Sequence, residues 1–326
     1  MQVAEICEIK NLKFSKIAFF LRPETYLSLP DFKAATLRGG FGYAFKKIVC
    51  FSRVKKDCGE CFLSDKCVYS LIFEGNFKGE KRWEGVKEVP KPFIIEPPVS
   101  DKKVYNSSEI LKFNLVLIGK AINYFPYFFL AFSHLGEIGI GRDRKKFKVE
   151  KIEQIYPEKR EIYEIGNDYI EKVEPGYYNP LKSETREAKR ITFNFLSPVR
   201  IKYNGRYISI VEFHHLIRNL TRRISMLTFF WCNGNEIFER KPLIEESKKV
   251  KIKRCNLRWV DFHRYSTRQQ QEMKLGGVVG QVEYEGEIGK FIPLIEVGKY
   301  IHIGKNTTFG FGQYTYTCIN PTSEVI

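Results

Sequence analysis

The chain has 326 residues, 43% of them hydrophobic and 15% aromatic, which excludes a disordered tail and leaves room for two domains with their own cores. Lys and Arg outnumber Asp and Glu by 54 to 38, a formal charge of +16. Such an excess attracts polyanions, because each neutralised phosphate releases a counterion, although a merely soluble basic protein has the same balance.

Residues 12–29 mix apolar and aromatic side chains and read as a strand with a Pro-containing turn. In 31–50, Phe32, Leu37, Phe41, Phe45 and Ile48 recur at roughly helical spacing. A cysteine cluster follows at 50–67, then a Pro-rich crossing at 90–98, a strand at 110–119, a helix at 121–134 and a strand at 147–156. The apolar stretch 121–132 is too short to span a bilayer and reads as a buried helix. Residues 157–189 turn polar and charged and read as an inter-domain linker. A second unit then runs through a strand at 191–201, a helix at 209–230, strands at 250–265 and 277–286, a short helical segment, and a last strand at 308–319. The expected fold is therefore α+β, with tandem ferredoxin-like (RRM-like) domains over 1–156 and 190–326 and the cysteine knuckle inserted in the first. The repeat lies in element order only.

Cys50, Cys58, Cys61 and Cys67 are spaced C-x7-C-x2-C-x5-C. The central pair fits a tight knuckle, and the flanking thiolates can complete a tetrahedron around zinc. A thiol-only loop and an iron–sulfur site remain open beside it. Because residues 51–68 bring little core of their own, zinc would order them. A closed four-ligand site has no place for a reacting water, so this metal would be structural and no catalytic metal is expected. Eight cysteines used this way do not form a secreted disulfide framework. Residues 1–10 lack a basic start before a long apolar run, so a cytoplasmic, membrane-free protein is expected.

In 258–269 cations are packed among aromatics and amides. On a strand, alternation places Arg254, Arg258 and Arg264 on one face and Trp259, His263 and Tyr265 on the other. Arginines grip phosphates and aromatics stack on unpaired bases, while a half-buried strand with a solvated cationic face is the plainer alternative. Glycine clusters follow at 276–280 and 304–312, with Lys274 and Lys305 beside them. Their backbone amides can converge on an anion, although glycine clusters more often just make turns. They match no nucleotide-binding fingerprint. The 209–230 helix carries His214, Arg218 and Arg222 on one face, an arrangement typical of a solvated surface.

Several stretches together resemble the CRISPR precursor-crRNA-processing endoribonucleases of the repeat-associated mysterious protein (RAMP) superfamily. They are Leu37-Arg38-Gly39-Gly40-Phe41-Gly42, Cys67-Val68-Tyr69-Ser70-Leu71-Ile72-Phe73-Glu74, Gly139-Ile140-Gly141-Arg142, Arg264-Tyr265-Ser266-Thr267-Arg268-Gln269 and the closing segment with Gly304, Gly310 and Gly312. The resemblance covers most of the chain. It implies CRISPR repeat RNA as ligand, a glycine-rich loop at the RNA cleft, and metal-independent cleavage by a ribose 2′-hydroxyl. The products would carry 2′,3′-cyclic phosphate and 5′-hydroxyl ends. Many relatives carry a catalytic histidine on or near the first helix, and 31–50 contains none. Of the five histidines, His302 is the candidate, alternating away from Ile301 and Ile303 toward the glycine loop, with His263 next. Both also fit structural roles. Lys305 is expected to carry transition-state charge and Tyr43 to serve as a proton partner. Arg38, Arg258, Arg264, Arg268, Lys274 and the three loop glycines are expected on RNA. The missing first-helix histidine leaves open a non-catalytic crRNA-binding subunit of a CRISPR effector complex, or a zinc-stapled module for an acidic partner.

Overall fold

The computed structural model describes residues 7–51, 58–76, 88–178, 187–234, 240–266 and 271–319, with the backbone alone at 7–8, 263–266 and 271–273. Contacts divide it into two units. The first runs from Lys13 to Gly176 and includes Phe230–Cys232; the second runs from Tyr177 to Phe229 and resumes at Asn233.

In the first unit, β1 (Lys13–Pro23) is buried at seven of its eleven positions and half-buried at the other four, as suits a central strand with a neighbour on each side. It is flanked by β3 (Leu111–Ile118) and β4 (Phe147–Tyr156), both antiparallel to it. With β2 (Phe93–Glu96) beyond β3 and β5 (Arg160–Glu164) beyond β4, the order is β2-β3-β1-β4-β5. Helices α1 (Lys33–Val49) and α2 (Phe125–Ile138) complete a β-α-β-β-α-β unit. Its core is aromatic: Phe19 stacks on Phe113 at 5.1 Å, and Phe41 lies 5.0 Å from Phe128 and 5.1 Å from Phe132. The polar stretch 157–189 is not a plain linker. Arg160–Glu164 pairs with β4, and Ile162 and Val173 are buried within a segment whose composition hides them.

The second unit repeats the plan with β6 (Arg190–Val199), α3 (Phe213–Trp231), β9 (Lys251–Ser266), β10 (Gln271–Glu285), α5 (Ile292–Ile301) and β11 (Tyr314–Ile319). A small ribbon of β7 (Lys202–Tyr203) and β8 (Arg206–Tyr207) precedes α3, and the short helix α4 (Lys241–Ser247) follows it. The sheet order is β9-β10-β6-β11, the same permutation as in the first unit. Both are ferredoxin-like. Phe193 packs against Tyr284 and Tyr314 at the centre, and the Tyr314 hydroxyl donates to the Ile295 carbonyl at 2.6 Å. The last strand starts six residues later than the expected 308, because the chain between Asn306 and Gly312 is a turn with left-handed residues.

Helix α1 carries three glycines with different surroundings. A Cβ at Gly42 would lie 2.3 Å from the Phe73 ring, so glycine there lets that ring reach the helix. A Cβ at Gly39 would meet nothing within 4 Å. Gly39→Ala should therefore stabilise the protein by about 0.5–1 kcal/mol, while Gly42→Ala should cost about 1–3 kcal/mol, read from denaturant midpoints of the two variants.

Candidate nucleic-acid interface

Helix α5 delivers the chain into the glycine-rich turn of the second unit. Arg223 holds its end, with Nε donating to the Ile301 carbonyl at 2.7 Å, a cation at a helix C-terminus. His302 follows with φ 60° and ψ 170° and is fully buried. Its Nδ1–H donates to the Phe311 carbonyl at 2.9 Å. The alternation expected to turn His302 outward does not apply, because 292–301 is helical and Ile301, His302 and Ile303 are all buried. His302 braces the turn from within and does not face a phosphate.

The turn is fastened to the end of β6. Lys305 N–H donates to the Arg200 carbonyl at 2.8 Å and Gly312 N–H to that of Pro198 at 3.0 Å. Ser197 Oγ donates to the Gly310 carbonyl at 2.6 Å. A Cβ at Gly312 would sit 1.8 Å from the Ile303 oxygen, and one at Gly304 would sit 2.6 Å from the Arg200 oxygen. Those two positions require glycine for space as well as for their positive φ. Phe309 and Gly310 N–H groups likewise donate to Asn306 and Thr307 carbonyls. The amides expected to converge on an anion are thus largely spent on the protein itself. Gly304, Gly310 and Gly312 shape the surface, and side chains supply the charge.

Around the turn Lys202, Arg206, Arg258, Lys274 and Lys305 are exposed, and among the described residues none of them has an ion-pair partner. The opposite end of the β9–β10 hairpin is balanced instead: Lys253 lies 3.6 Å from Glu285, and Arg254 lies 3.8 Å from Glu283. The cations without ion-pair partners are therefore at the glycine end, where Asp261 is the nearby carboxylate. Strand β9 is exposed at Lys253–Asn256 and at Arg258 and Trp259, with Leu257 half-buried. Trp259 folds over Gly276, its Nε1–H donating to Asp261 at 2.9 Å. Phe262 meets Phe311 edge-on at 6.5 Å, joining hairpin and turn. His263 and Arg264 are placed by backbone only, opposite Lys274 and Met273. Arg268 lies outside the described residues.

Sequence reasoning missed Arg200. Its NH1 donates to the Gly276 carbonyl at 2.7 Å, its own carbonyl holds Lys305, and its guanidinium lies 3.8 Å from the Tyr207 ring centre. The overlooked signal was Asn204-Gly205, the dipeptide that favours a two-residue hairpin. Both residues have positive φ, and Lys202 and Tyr203 pair with Tyr207 and Arg206. The ribbon is anchored on α3 by Tyr203, whose ring centre lies 4.4 Å from that of His215.

In the first unit, Tyr43 is 51% exposed with Lys47 Nζ 5.7 Å from its ring. Arg38 is half-buried and lies 4.3 Å over Phe73, packed against the core side of the helix. Cys58 and Cys61 share a turn (Cys61 N to Cys58 O, 3.3 Å). Cys58 senses the charges of Cys67 and Cys50, although burial first, then Glu74, pushes its thiol up. Among the described residues no three His, Cys, Asp or Glu side chains are grouped closely enough to hold a metal.

Residues 12–175, half of the chain, match the family AF_1859_N, described as an N-terminal domain. Residues 193–314, which hold the turn and the hairpin, match the CRISPR-associated endoribonuclease Cas6 family. Residues 193–314 thus belong to the CRISPR-associated Cas6 endoribonuclease family. That family comprises RNA-cleaving enzymes. No curated protein matches the chain. Among solved structures it is similar to a Cas6 (TTHB231) product complex, at 15% identity and TM-score 0.56, covering 93% of this chain and 100% of that one. The Thermus thermophilus Cas6 (TTHB231) structure gives 13% identity and TM-score 0.53, covering 94% and 99%. A partial Cas6-RT-Cas1–Cas2 complex gives 12% identity and TM-score 0.56 over 97% of this chain and 48% of that chain. These likenesses carry the fold. No described helix is long and apolar enough to cross a membrane.

The histidines under the ribbon set a pH limit on the second unit. Burial, then the neighbouring His214, pushes His215 down to about 4, and Glu212 N–H donates to its Nδ1 at 3.1 Å, which requires the neutral ring. Burial lowers His214 too, against the pull of Glu212. An unfolded chain binds these protons more readily than the folded one, so stability is present above about pH 6.5 and is lost as pH falls toward 4. Thermal melts between pH 7 and 4 should show that loss, and His215→Phe should flatten it.

Proposed function

We propose that the chain binds CRISPR repeat RNA and cuts the precursor transcript by attack of a ribose 2′-hydroxyl on the adjacent phosphate, without a metal in the reaction. The cations left without ion-pair partners around the fastened glycine turn carry this reading, since they lie in the unit that matches the Cas6 endoribonucleases. A product complex of a similar Cas6 supports it. Lys305 stabilises charge on the crowded phosphate, and holding hydroxyl and phosphate in line supplies much of the rate. The protein would act in the cytoplasm in antiviral defence, alone or with other CRISPR subunits.

The alternative, a crRNA-binding subunit that does not cut, draws on the absence of a histidine from 31–50 and on the burial of His302. Labelled repeat RNA incubated with the protein in EDTA separates the two. Cleavage to 2′,3′-cyclic phosphate and 5′-hydroxyl ends is expected, with Lys305→Ala slowing it roughly 10²–10³-fold. A magnesium requirement would end the metal-free mechanism, and tight binding without cleavage would favour the subunit.

A structural zinc on Cys50, Cys58, Cys61 and Cys67 belongs to the same proposal, supported by their spacing and by the Cys58–Cys61 turn; the four thiols would have to draw closer together to hold the ion. Purified protein should carry one zinc by elemental analysis. Cys61→Ser should lose it and melt earlier, yet any residual cleavage should give the same RNA ends.

A further inference from the structure

Two tyrosines of the β7–β8 ribbon face opposite ways. Tyr203 packs inward on His214 and His215, with the Arg218 guanidinium 5.4 Å from its ring centre. Tyr207, paired with Lys202 across the ribbon, is 42% exposed. Its ring is in contact with Arg200, which is fixed on two sides, by NH1 on the Gly276 carbonyl and by its own carbonyl on Lys305 N–H. The bond to Gly276 holds the guanidinium against the Tyr207 ring, so the two flat groups are presented together. Beside them Arg206, Tyr207 and Ile210 border a shallow, open surface depression. Lys202, paired with Tyr207, and Lys305, bonded to the Arg200 carbonyl, are exposed.

We propose that Arg200 and Tyr207 form a stacking subsite for one unpaired nucleobase of the bound RNA, next to the Gly304–Lys305 turn. The proposal rests on the RNA-binding reading above and extends it. A phosphate needs only the cations; an aromatic ring stacked on a held guanidinium is suited to a flat π-face. Bases inside a duplex already have both faces stacked, so the occupant is a nucleotide outside the paired part of the RNA. Its phosphates then lie within reach of Lys202, Arg206 and Lys305.

The test uses the protein and two RNAs of equal nucleotide number and charge, one a blunt two-stranded duplex and one with an unpaired segment. Tyr207→Leu keeps an apolar contact on Arg200 and removes the ring. It should weaken binding of the RNA with the unpaired segment roughly 5- to 150-fold, the range of one base–aromatic stack. Binding of the paired RNA should be unchanged, and Tyr207→Phe should restore the difference. As an independent readout on the unaltered protein, 2-aminopurine scanned through the unpaired segment should be quenched on binding at one position and not in Tyr207→Leu. Equal losses on both RNAs, no loss on either, or no quenched position would overturn the subsite. Failure of the unaltered protein to bind either RNA would instead overturn the RNA-binding reading itself.

Discussion

The end of β6 holds the glycine-rich turn through main-chain hydrogen bonds, and the rest of the interface is arranged around that fastening. The carbonyls of Pro198 and Arg200 accept N–H groups from Gly312 and Lys305, and Ser197 reaches Gly310. Each such bond contributes only about 0.5–1.5 kcal/mol net, but leaving a buried partner unmade costs more. Glycine is needed where carbonyl oxygens press into the space a side chain would fill. From beneath, His302 holds the Phe311 carbonyl and Arg223 the end of α5. The turn thereby becomes a rigid shape that projects Lys305, rather than a cradle of open amides.

Charge is distributed by the same economy. Along the β9–β10 hairpin carboxylates pair with the cations at the end near Glu283 and Glu285, whereas Lys274 and Arg258 at the other end have no ion-pair partner among the described residues and the nearby Asp261 is bonded to Trp259. A net +16 alone would attract any polyanion. Local imbalance beside a rigid turn gives that attraction a place. Arg200 joins turn, ribbon and hairpin by bonding to Lys305, contacting Tyr207 and reaching Gly276.

Both ferredoxin-like units were legible in the order of strands and helices, because apolar periodicity survives without knowledge of partners. The segment 157–189 misled, since Ile162 and Val173 are isolated apolar residues in a polar stretch and only pairing with β4 reveals their use. His302 misled for a different reason. Strand alternation was applied to the end of a helix, where a residue at positive φ points by the local cap and not by period. Lys305 and the three glycines were visible because chemistry and turn formation coincide in them. Arg200 was not, because nothing around a lone arginine after a strand announces that its carbonyl, guanidinium and neighbouring hairpin act together.

Strand β9 lies at the edge of its sheet, and it is long and exposed at Lys253–Asn256, Arg258 and Trp259. Such edges invite pairing with another chain, and proteins discourage this with lysines, arginines and bulges. Here the bulge between Ile252 and Arg254 and the cations Lys251, Lys253, Arg254 and Arg258 occupy that edge. The basic strand is thus also a guard against self-association, so erasing its charge would weaken the grip on a polyanion and invite sheet-to-sheet stickiness in one stroke.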